Sequence, residues 1–199
     1  LLVLFAHNRS GLGAHPVQKA LRRIWKALRG RHQANPAAQA ASNASSHYDH
    51  SEAFYRLFLD KSMAYSCAYF ESPDQSLEDA QKAKFRHIAA KLNLQPGMSV
   101  AEIGSGWGGL AIYLAQSSHV QVTGFNVSPQ QLRESRARAE AAGVADRVQF
   151  IEQDYRTAPG QYDRVVSVGM MEHVGIAYFD AYFDAVRRLL RPGGFAMIH

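Results

Sequence analysis

Residues 99–109 read Ser-Val-Ala-Glu-Ile-Gly-Ser-Gly-Trp-Gly-Gly, and this stretch decides the fold. The apolar run at its start predicts a buried strand, and the glycines that follow predict a tight turn. The apolar pattern of residues 110–116 then predicts a helix. In α/β sheets a strand, a glycine turn and a helix offer bare backbone to a nucleotide-like ligand, and the helix directs its positive N-terminal end at the same spot. The stretch therefore predicts an α/β fold, although such a turn also occurs without any ligand.

Helices and strands alternate around this stretch. Apolar periodicity predicts a helix over Glu52–Leu59 and another that begins at Ser76, before a turn at Pro96-Gly97. The pattern further predicts strands at 99–103, 120–124, 148–152, 163–168 and 195–199, helices at 108–116, 129–142 and 178–190, and a turn at 192–194. This alternation indicates a parallel sheet covered on both faces, with ligands at the carboxyl ends of its strands.

Polar side chains follow the ends of these strands. Asn126, Ser128 and Gln131 come after the second strand and offer groups that could hold ribose or carboxylate oxygens. A dinucleotide enzyme would carry an acidic residue about 20 residues after the glycines, and Phe125–Ser128 contains none, which disfavours NAD. Ser128 followed by Pro129 also fits the start of a helix, which would explain this serine without a ligand.

Two further segments carry candidate chemistry. Glu172-His173 follows the fourth strand, where the pair fits either a structural hydrogen bond or an acid–base role beside the ligand crevice. Tyr65–Phe70 precedes the sheet and is typical of an aromatic core segment, in which Cys67 fits a core residue better than a nucleophile. The scattered histidines and the single cysteine show no metal-ligand spacing, so we predict no metal site.

Charge divides the chain into two parts. Residues 1–46 contain seven Lys/Arg and no Asp/Glu, and the whole chain carries +5, which leaves −2 for residues 47–199. Residues 16–30 fit an amphipathic basic helix that either lies on an anionic membrane or packs on a further domain, and residues 33–46 form a low-complexity linker. Because no aromatic platform accompanies the basic residues, we predict no nucleic-acid partner. We assign 1–46 to the tail of an N-terminal domain plus linker, and 47–199 to a catalytic domain.

The single cysteine excludes an internal disulfide and is typical of a reducing compartment. The apolar Leu1–Ala6 is too short to span a bilayer. Because the chain begins without methionine and stops at His199 inside a predicted strand, we expect a fragment with both ends missing.

A series of motifs runs through residues 47–199. They read His47-Tyr48-Asp49, Phe54-Tyr55-x-Leu57-Phe58-Leu59-Asp60, Met63-x-Tyr65-Ser66-Cys67-Ala68-Tyr69-Phe70, Ala80-Gln81-x-Ala83-Lys84, Glu102-x-Gly104-x-Gly106-Trp107-Gly108-Gly109, Asp154-Tyr155-Arg156, Glu172-His173-Val174-Gly175 and Pro192-Gly193-Gly194. In these motifs the chain resembles the cyclopropane-fatty-acyl-phospholipid synthases, whose close relatives are the mycolic acid cyclopropane synthases. The family usually has Gly-Asn where Ser51-Glu52 stand here, which leaves the local turn and any contact that it makes near the cofactor open.

This resemblance implies a class I S-adenosylmethionine-dependent methyltransferase fold, Rossmann-like and truncated after the fifth strand. It implies that S-adenosylmethionine is bound by Tyr65, Ser66, Glu102, Gly104, Gly106, Asn126, Ser128, Gln131, Tyr155 and Arg156. It also implies a bicarbonate ion held by Cys67, Glu172 and His199. That ion would deprotonate the carbocation that forms when a cis double bond takes the methyl group, and so close a cyclopropane ring.

The implied substrate is the unsaturated acyl chain of a membrane phospholipid. The implied enzyme is cytoplasmic and peripheral to the inner face of the membrane, with a homodimer as a candidate assembly. The same motifs serve a relative that stops at methyl transfer and gives methyl-branched lipids or methylated amines or phenols. A non-catalytic lipid- or nucleotide-binding protein is a third alternative, which the intact Glu172 and the complete glycine turn disfavour.

Overall fold

The computed structural model describes residues 52–199. The predicted helix at 16–30, the linker at 33–46 and the motif His47-Tyr48-Asp49 lie outside the described residues, and so does the predicted domain boundary after residue 46.

The described chain forms one parallel sheet with helices on both faces. The strands are β1 (Ser99–Ile103), β2 (Gln121–Asn126), β3 (Val148–Glu152), β4 (Tyr162–Ser167) and β5 (Leu190–Ile198). The α-helices are α1 (Glu52–Tyr55), α2 (Leu77–Leu92), α3 (Gly109–Ser118), α4 (Pro129–Ala141), α5 (Met171–Val174) and α6 (Phe179–Leu189), with a 3-10 turn at Ile176–Tyr178. The predicted α/β architecture is confirmed.

The order of the strands places the ligand crevice. The sheet runs β3-β2-β1-β4-β5, so the chain moves outward from β1 to β3 on one side and then crosses to β4 on the other. Val100 of β1 pairs with Val122 of β2 and with Arg164 of β4, which makes β1 the central strand. In parallel sheets a ligand binds where the strand order reverses in this way. The glycine turn that follows β1 lies at that position.

Apolar side chains pack on both faces of the sheet. One core cluster joins α2, α3 and α4 to the sheet through residues such as Ile88, Leu114 and Leu132. The other cluster joins α6 to the opposite face through Tyr182 and Leu189. The central strand β1 is buried on both faces, which explains why Val100, Ala101 and Ile103 are all apolar.

Local chemistry fixes where the helices begin. Ser76 accepts a hydrogen bond from the Asp79 amide and caps α2, and Ser128 accepts one from the Gln131 amide and caps α4, with Pro129 at its first position. The buried Arg164 then holds the end of α2 against the sheet, because its Nε donates to the Leu92 carbonyl at 2.6 Å. These contacts fix the position of α2, which carries residues of the candidate site.

Two predicted elements differ from the structure. The predicted helix Glu52–Leu59 ends as an α-helix at Tyr55, and the chain continues in turns to Leu59. The predicted turn at 192–194 is part of β5, because Tyr162 pairs with Leu190 whereas Arg164 pairs with Phe195, so the strand bulges between these pairs. A bulge on an edge strand of the described sheet accommodates a proline, which has no amide to donate.

No helix within residues 52–199 combines the length and the apolarity that a membrane crossing requires.

Candidate active site

The carboxyl edge of the sheet brings the predicted site segments together. The Gly104 amide donates to the Phe125 carbonyl at 2.9 Å, which joins the glycine turn to the end of β2. The Gln153 amide donates to the Asn126 carbonyl at 3.0 Å, which joins the end of β2 to the segment after β3. On the other side, a Cβ built on Gly104 would lie 3.4 Å from the Met170 side chain, which follows β4.

The glycines after β1 are required for two different reasons, which are open space at Gly106 and close packing at Gly109. Gly104 and Gly106 have φ angles of +80° and +51°, which side chains disfavour, and a Cβ on Gly106 would meet nothing within 4 Å. A Cβ on Gly109 would lie 2.4 Å from the Ser62 carbonyl oxygen. Gly106 therefore leaves open space beside the backbone, whereas Gly109 is required by close packing against the chain before α2.

Asn126 stabilises the glycine turn by a direct hydrogen bond, and Gln131 holds the Asn126 side chain in place. Asn126 Nδ2 donates to the Gly106 carbonyl at 3.1 Å and to Gln131 Oε1 at 2.9 Å, while its Oδ1 accepts from the Ser128 amide at 3.1 Å. Ser135 Oγ also donates to the Gly106 carbonyl, at 3.1 Å. Ser128 is thus a helix cap, as one of the two alternatives predicted.

The segment after β3 contains two of the predicted cofactor residues. Arg156 donates to both carboxylate oxygens of Asp154, with Nε–Oδ1 and Nη2–Oδ2 distances of 2.9 Å each. The Tyr155 ring is buried, packs edge-on against Tyr182 with ring centroids 5.5 Å apart, and has a pKa raised above its usual range by burial. The Tyr155 phenol therefore belongs to the core, and its segment offers mainly backbone to a ligand.

Residues 60–70 cross the front of the site before α2. Asp60 accepts from the Ser62 and Ala64 amides, and Gln81 Nε2 donates to the Ala64 carbonyl at 3.2 Å and to the Ser66 carbonyl at 3.0 Å. The prediction that Tyr65–Phe70 is a core segment is wrong, because the rings of Tyr65, Tyr69 and Phe70 and the thiol of Cys67 are exposed. The Tyr65 ring packs edge-on against Tyr55.

Gly169 is the point at which the three segments predicted to hold the anion meet. A Cβ on this glycine would lie 3.6 Å from Ser66 Cβ and 3.7 Å from Glu172 Oε1. The Gly169 amide donates to the His199 carbonyl at 3.0 Å. Since Cys67 directly follows Ser66, the structure gathers all three predicted anion-holding segments around this residue.

Two buried ionisable groups lie behind these segments. Burial raises the pKa of Glu102 to about 8, opposed by the Ala111 amide and by the charge of Lys84. Burial lowers the pKa of Lys84 to about 8, opposed by the negative groups of Asp60, Cys67 and Glu102. One Glu102 oxygen, Oε2, makes no hydrogen bond within the described part of the chain. A buried carboxyl oxygen without a hydrogen-bond partner is typical of a site built for a polar ligand.

Sequence reasoning assigned no role to Gln81 and Lys84. Both lie on α2 and are buried, with Lys84 Nζ donating to Ser66 Oγ at 2.6 Å. A signal was present, because Gln81, Lys84 and Ile88 follow the spacing of one helix face, and polar residues on an apolar face require a partner.

Glu102 is expected to make the protein less stable as the pH rises from 5 to 7. Its folded-state pKa of about 8 lies above the ordinary value of 4.5, so between pH 5 and pH 7 Glu102 is largely ionised in the unfolded chain but protonated in the folded protein. The free energy of unfolding then falls by about 2–3 kcal/mol for this one group. Lys84 stays protonated in both states over most of the range, because its pKa is lowered only to about 8.

Urea unfolding at pH 5 and pH 7 measures this effect, and the Glu102→Gln variant is its control. The glutamine cannot ionise, so we expect its decline in stability to be smaller by the stated amount. An equal decline in both proteins would show that Glu102 titrates normally in the folded state.

Within residues 52–199, no three His, Cys, Asp or Glu side chains lie close enough together to hold a metal ion. The segments that converge carry backbone amides and carbonyls, amide side chains, the carboxyl groups of Glu102 and Glu172, and the thiol of Cys67. They suit a polar organic ligand beside a small anion.

Comparison with known proteins identifies the family of this chain. The family model for mycolic acid cyclopropane synthetase matches residues 35–199. A probable fatty acid methyltransferase of Pseudomonas putida is 46% identical over 161 residues, which are 80% of this chain and 41% of that protein. The cyclopropane-fatty-acyl-phospholipid synthase of Escherichia coli K12 is 45% identical over 153 residues, which are 77% of this chain and 39% of that protein. The chain thus spans about two fifths of the length of these curated relatives.

Solved structures agree with these sequence similarities. The mycolic acid cyclopropane synthase CmaA1, complexed with SAH and CTAB, superposes with a TM-score of 0.77 at 34% identity, covering 83% of this chain and 57% of that one. The cyclopropane synthase MmaA2 from Mycobacterium tuberculosis gives a TM-score of 0.76 at 33% identity, covering 79% and 55%. A S-adenosylmethionine-dependent methyltransferase from Geobacter sulfurreducens gives 0.52 at 32% identity, covering 58% and 47%. The predicted class I methyltransferase fold is confirmed.

Proposed function

Since the chain belongs to the mycolic acid cyclopropane synthetase family, we propose that it forms the reaction centre of an enzyme that transfers a methylene group from S-adenosylmethionine to a cis double bond of a phospholipid acyl chain. The observation that carries this proposal is the meeting of the Ser66-Cys67, Glu172 and His199 segments around Gly169, beside the glycine turn. A cofactor site and a separate polar pocket for a base are the two parts that this reaction needs.

The cofactor is assigned to the crevice above β1 and β2. The open space beside Gly106, the Glu102 oxygen without a donor and the nearby polar side chains suit a ligand with ammonium, carboxylate and ribose groups. We assign its binding to Tyr65, Ser66, Glu102, Gly104, Gly106, Asn126, Ser128, Gln131, Tyr155 and Arg156, with Tyr155 acting through its backbone. When bound, S-adenosylmethionine supplies an electrophilic methyl group.

The protein must provide a base in a place that excludes water. We assign a bicarbonate ion to Cys67, Glu172 and His199, where the Glu172 carboxylate can accept the hydrogen bond of the bicarbonate hydroxyl. Held by these residues, the ion would supply the base for ring closure: a proton of the new methyl group of the lipid carbocation would pass to bicarbonate, and the electron pair of that C–H bond would close the ring. A preorganised anion also stabilises the positive charge that develops on the acyl chain.

The substrate class places the enzyme at a membrane surface. We propose that the basic residues of the N-terminal part draw the protein to anionic lipid on the cytoplasmic side, and that the enzyme is peripheral rather than inserted. The homodimer stays a prediction. Deletion of residues 1–31 is the direct test: vesicle binding that is unchanged by the deletion would remove this segment as the anchor.

A second function is favoured by the 46% identity to a probable fatty acid methyltransferase. Methyl transfer to an unsaturated acyl chain uses the same cofactor site and ends without ring closure. The two functions differ in whether the proton leaves the new methyl group or a neighbouring chain carbon, and the protein controls this choice through the position of its base.

Product analysis distinguishes these functions. We expect incubation with S-adenosylmethionine and vesicles of unsaturated phospholipid to yield fatty acids that gain one CH₂, lose the double bond and fragment as rings in mass spectrometry. The same mass gain with an olefin retained would assign the methyltransferase function. Cofactor binding without a lipid product would direct attention to small amine and phenol acceptors, and absence of cofactor binding would leave a non-catalytic binding protein.

A further inference from the structure

Lys84 makes an unusual contact for a buried lysine. It lies on α2 with only 4% of its surface exposed, and its Nζ donates to Ser66 Oγ at 2.6 Å. Within residues 52–199 it forms no ion pair with a carboxylate, so Ser66 is its only hydrogen-bond partner there. Burying an ammonium group is costly unless it is paired, so a lysine kept for stability alone would be expected to contact a carboxylate.

The ammonium group determines how the Ser66 hydroxyl is oriented. An ammonium carries three donors and no acceptor, so the Ser66 oxygen must accept this hydrogen bond. The single proton of the hydroxyl is then directed elsewhere, and no group within residues 52–199 accepts it. Gln81 Nε2 donates to the carbonyl of the same residue at 3.0 Å, which holds the serine backbone against α2.

The Ser66 hydroxyl lies where the proposed cofactor crevice meets the segments assigned to the anion. Ser66 Cβ is 3.6 Å from the position of a Cβ on Gly169, next to Glu172. A ligand that accepts the hydroxyl proton needs an oxygen with lone pairs, and the nearby charge of Lys84 favours an anionic one. Bicarbonate, the other anion proposed near Gly169, is assigned to Cys67, Glu172 and His199. The acceptor assigned to Ser66 is therefore the carboxylate of S-adenosylmethionine, the one group of this cofactor that is anionic and accepts without donating.

We propose that Lys84 is a positioning residue, which fixes the Ser66 hydroxyl as a donor to the carboxylate of S-adenosylmethionine. This inference rests on the proposed function, because it assumes that the crevice binds this cofactor. It assigns α2 a role in cofactor recognition that acts through Ser66 and not by direct contact.

The proposal has a consequence for the pH dependence of binding. The groups that face Lys84 are Asp60 and Cys67 from the 60–70 segment and Glu102 from β1, with the Phe85 ring at 5.2 Å on its own helix. Burial outweighs them and lowers the pKa of Lys84 to about 8. A neutral amine can accept the Ser66 proton, so above this pH the hydroxyl can turn inward and stop donating to the ligand.

A double-mutant cycle tests the proposal, with SAH affinity measured by calorimetry at pH 6.5. We expect Lys84→Met and Ser66→Ala each to weaken binding about 10-fold, which is the value of one hydrogen bond to a charged group. The double variant should be no weaker than either single variant, because both remove the same interaction. Lys82→Met, an exposed lysine on the same helix, is the matched control and should bind as the wild type does.

The pH profile supplies a second measurement that does not depend on the folding of the Lys84 variant. The ratio of wild-type to Ser66→Ala affinity should fall from about 10-fold at pH 6.5 to near unity at pH 9.5. Titration of the ligand and of Glu102 affects both proteins and cancels in this ratio. A ratio that is constant with pH, or losses that add in the double variant, would overturn the inference. A wild-type protein that fails to bind SAH would instead overturn the proposed function.

Discussion

Replacement of Glu172 by glutamine is expected to lower kcat at least about 100-fold, because it removes the group that we propose holds and orients the base. Glu172 lies on α5 at the carboxyl edge of the sheet, and its Oε1 is within 4 Å of the position of a Cβ on Gly169. Glutamine keeps the size of the side chain, but its neutral amide oxygen accepts the hydroxyl of the proposed bicarbonate more weakly than a carboxylate oxygen does. The negative charge that would stabilise the nearby carbocation is lost at the same time.

Measurement of SAH affinity distinguishes a loss of turnover in Glu172→Gln from damage to the fold. We expect SAH affinity of Glu172→Gln to stay within about threefold of the wild type, because the cofactor residues are assigned mainly to the other side of the crevice. Glu140→Gln, which changes an exposed glutamate on α4, is the matched control and should leave both kcat and affinity unchanged. Full turnover by Glu172→Gln would remove Glu172 from the reaction, and a shift toward olefin products would assign it to ring closure alone.

Short sequence patterns predicted the helices and strands that position this site. The caps at Ser76 and Ser128 depend on neighbours within three residues, and β3 was predicted with its observed bounds. The placement of Glu172 and His199 at strand ends followed from the rule for parallel sheets. Both kinds of inference succeed because the information lies in short stretches of chain or in the topology.

The contacts that were missed join distant parts of the chain. Lys84 and Ser66 are 18 residues apart, and nothing in the spacing of α2 indicates which segment lies against it. Tyr155 was assigned to the cofactor by resemblance, yet its ring packs on Tyr182 of α6, a partner that only the folded sheet brings near. The sequence pattern identifies polar and aromatic residues that need partners, whereas the identity of each partner depends on tertiary packing.

The glycine turn offers a second experiment with a large effect, in which two neighbouring glycines are expected to respond differently. Gly109 begins α3, where alanine would favour the helix by about 1 kcal/mol. An alanine Cβ at this position would, however, lie 2.4 Å from the Ser62 carbonyl oxygen. That oxygen is backbone, held in place because Asp60 accepts from the Ser62 amide at 2.8 Å. We expect the steric cost to exceed the gain in helix propensity.

Gly109→Ala should therefore destabilise the fold by about 2–4 kcal/mol, which corresponds to a fall in Tm of about 5–15 °C for a chain of this size. Displacement of Ser62 also moves the segment that carries Tyr65 and Ser66, so SAH affinity should fall more than about 10-fold. Thermal unfolding and calorimetry measure the two effects. An unchanged Tm would mean that the 60–70 segment can yield at no cost, which would contradict its proposed role in a preorganised site.

Gly106→Ala is the matched variant in the same turn. A Cβ here meets nothing within 4 Å, so the only cost to the fold is a φ of +51°, about 1 kcal/mol. The methyl group would occupy the open space assigned to the cofactor, and we expect SAH affinity to fall at least about 10-fold while Tm changes by only a few degrees. If Gly106→Ala binds SAH as well as the wild type, the cofactor does not approach this turn, and the site must lie elsewhere on the sheet edge. Loss of SAH binding by Gly106→Ala with the fold retained would show that glycine is needed at this position to leave room for the ligand. A fall in Tm of Gly109→Ala would show that glycine is needed there for packing against Ser62.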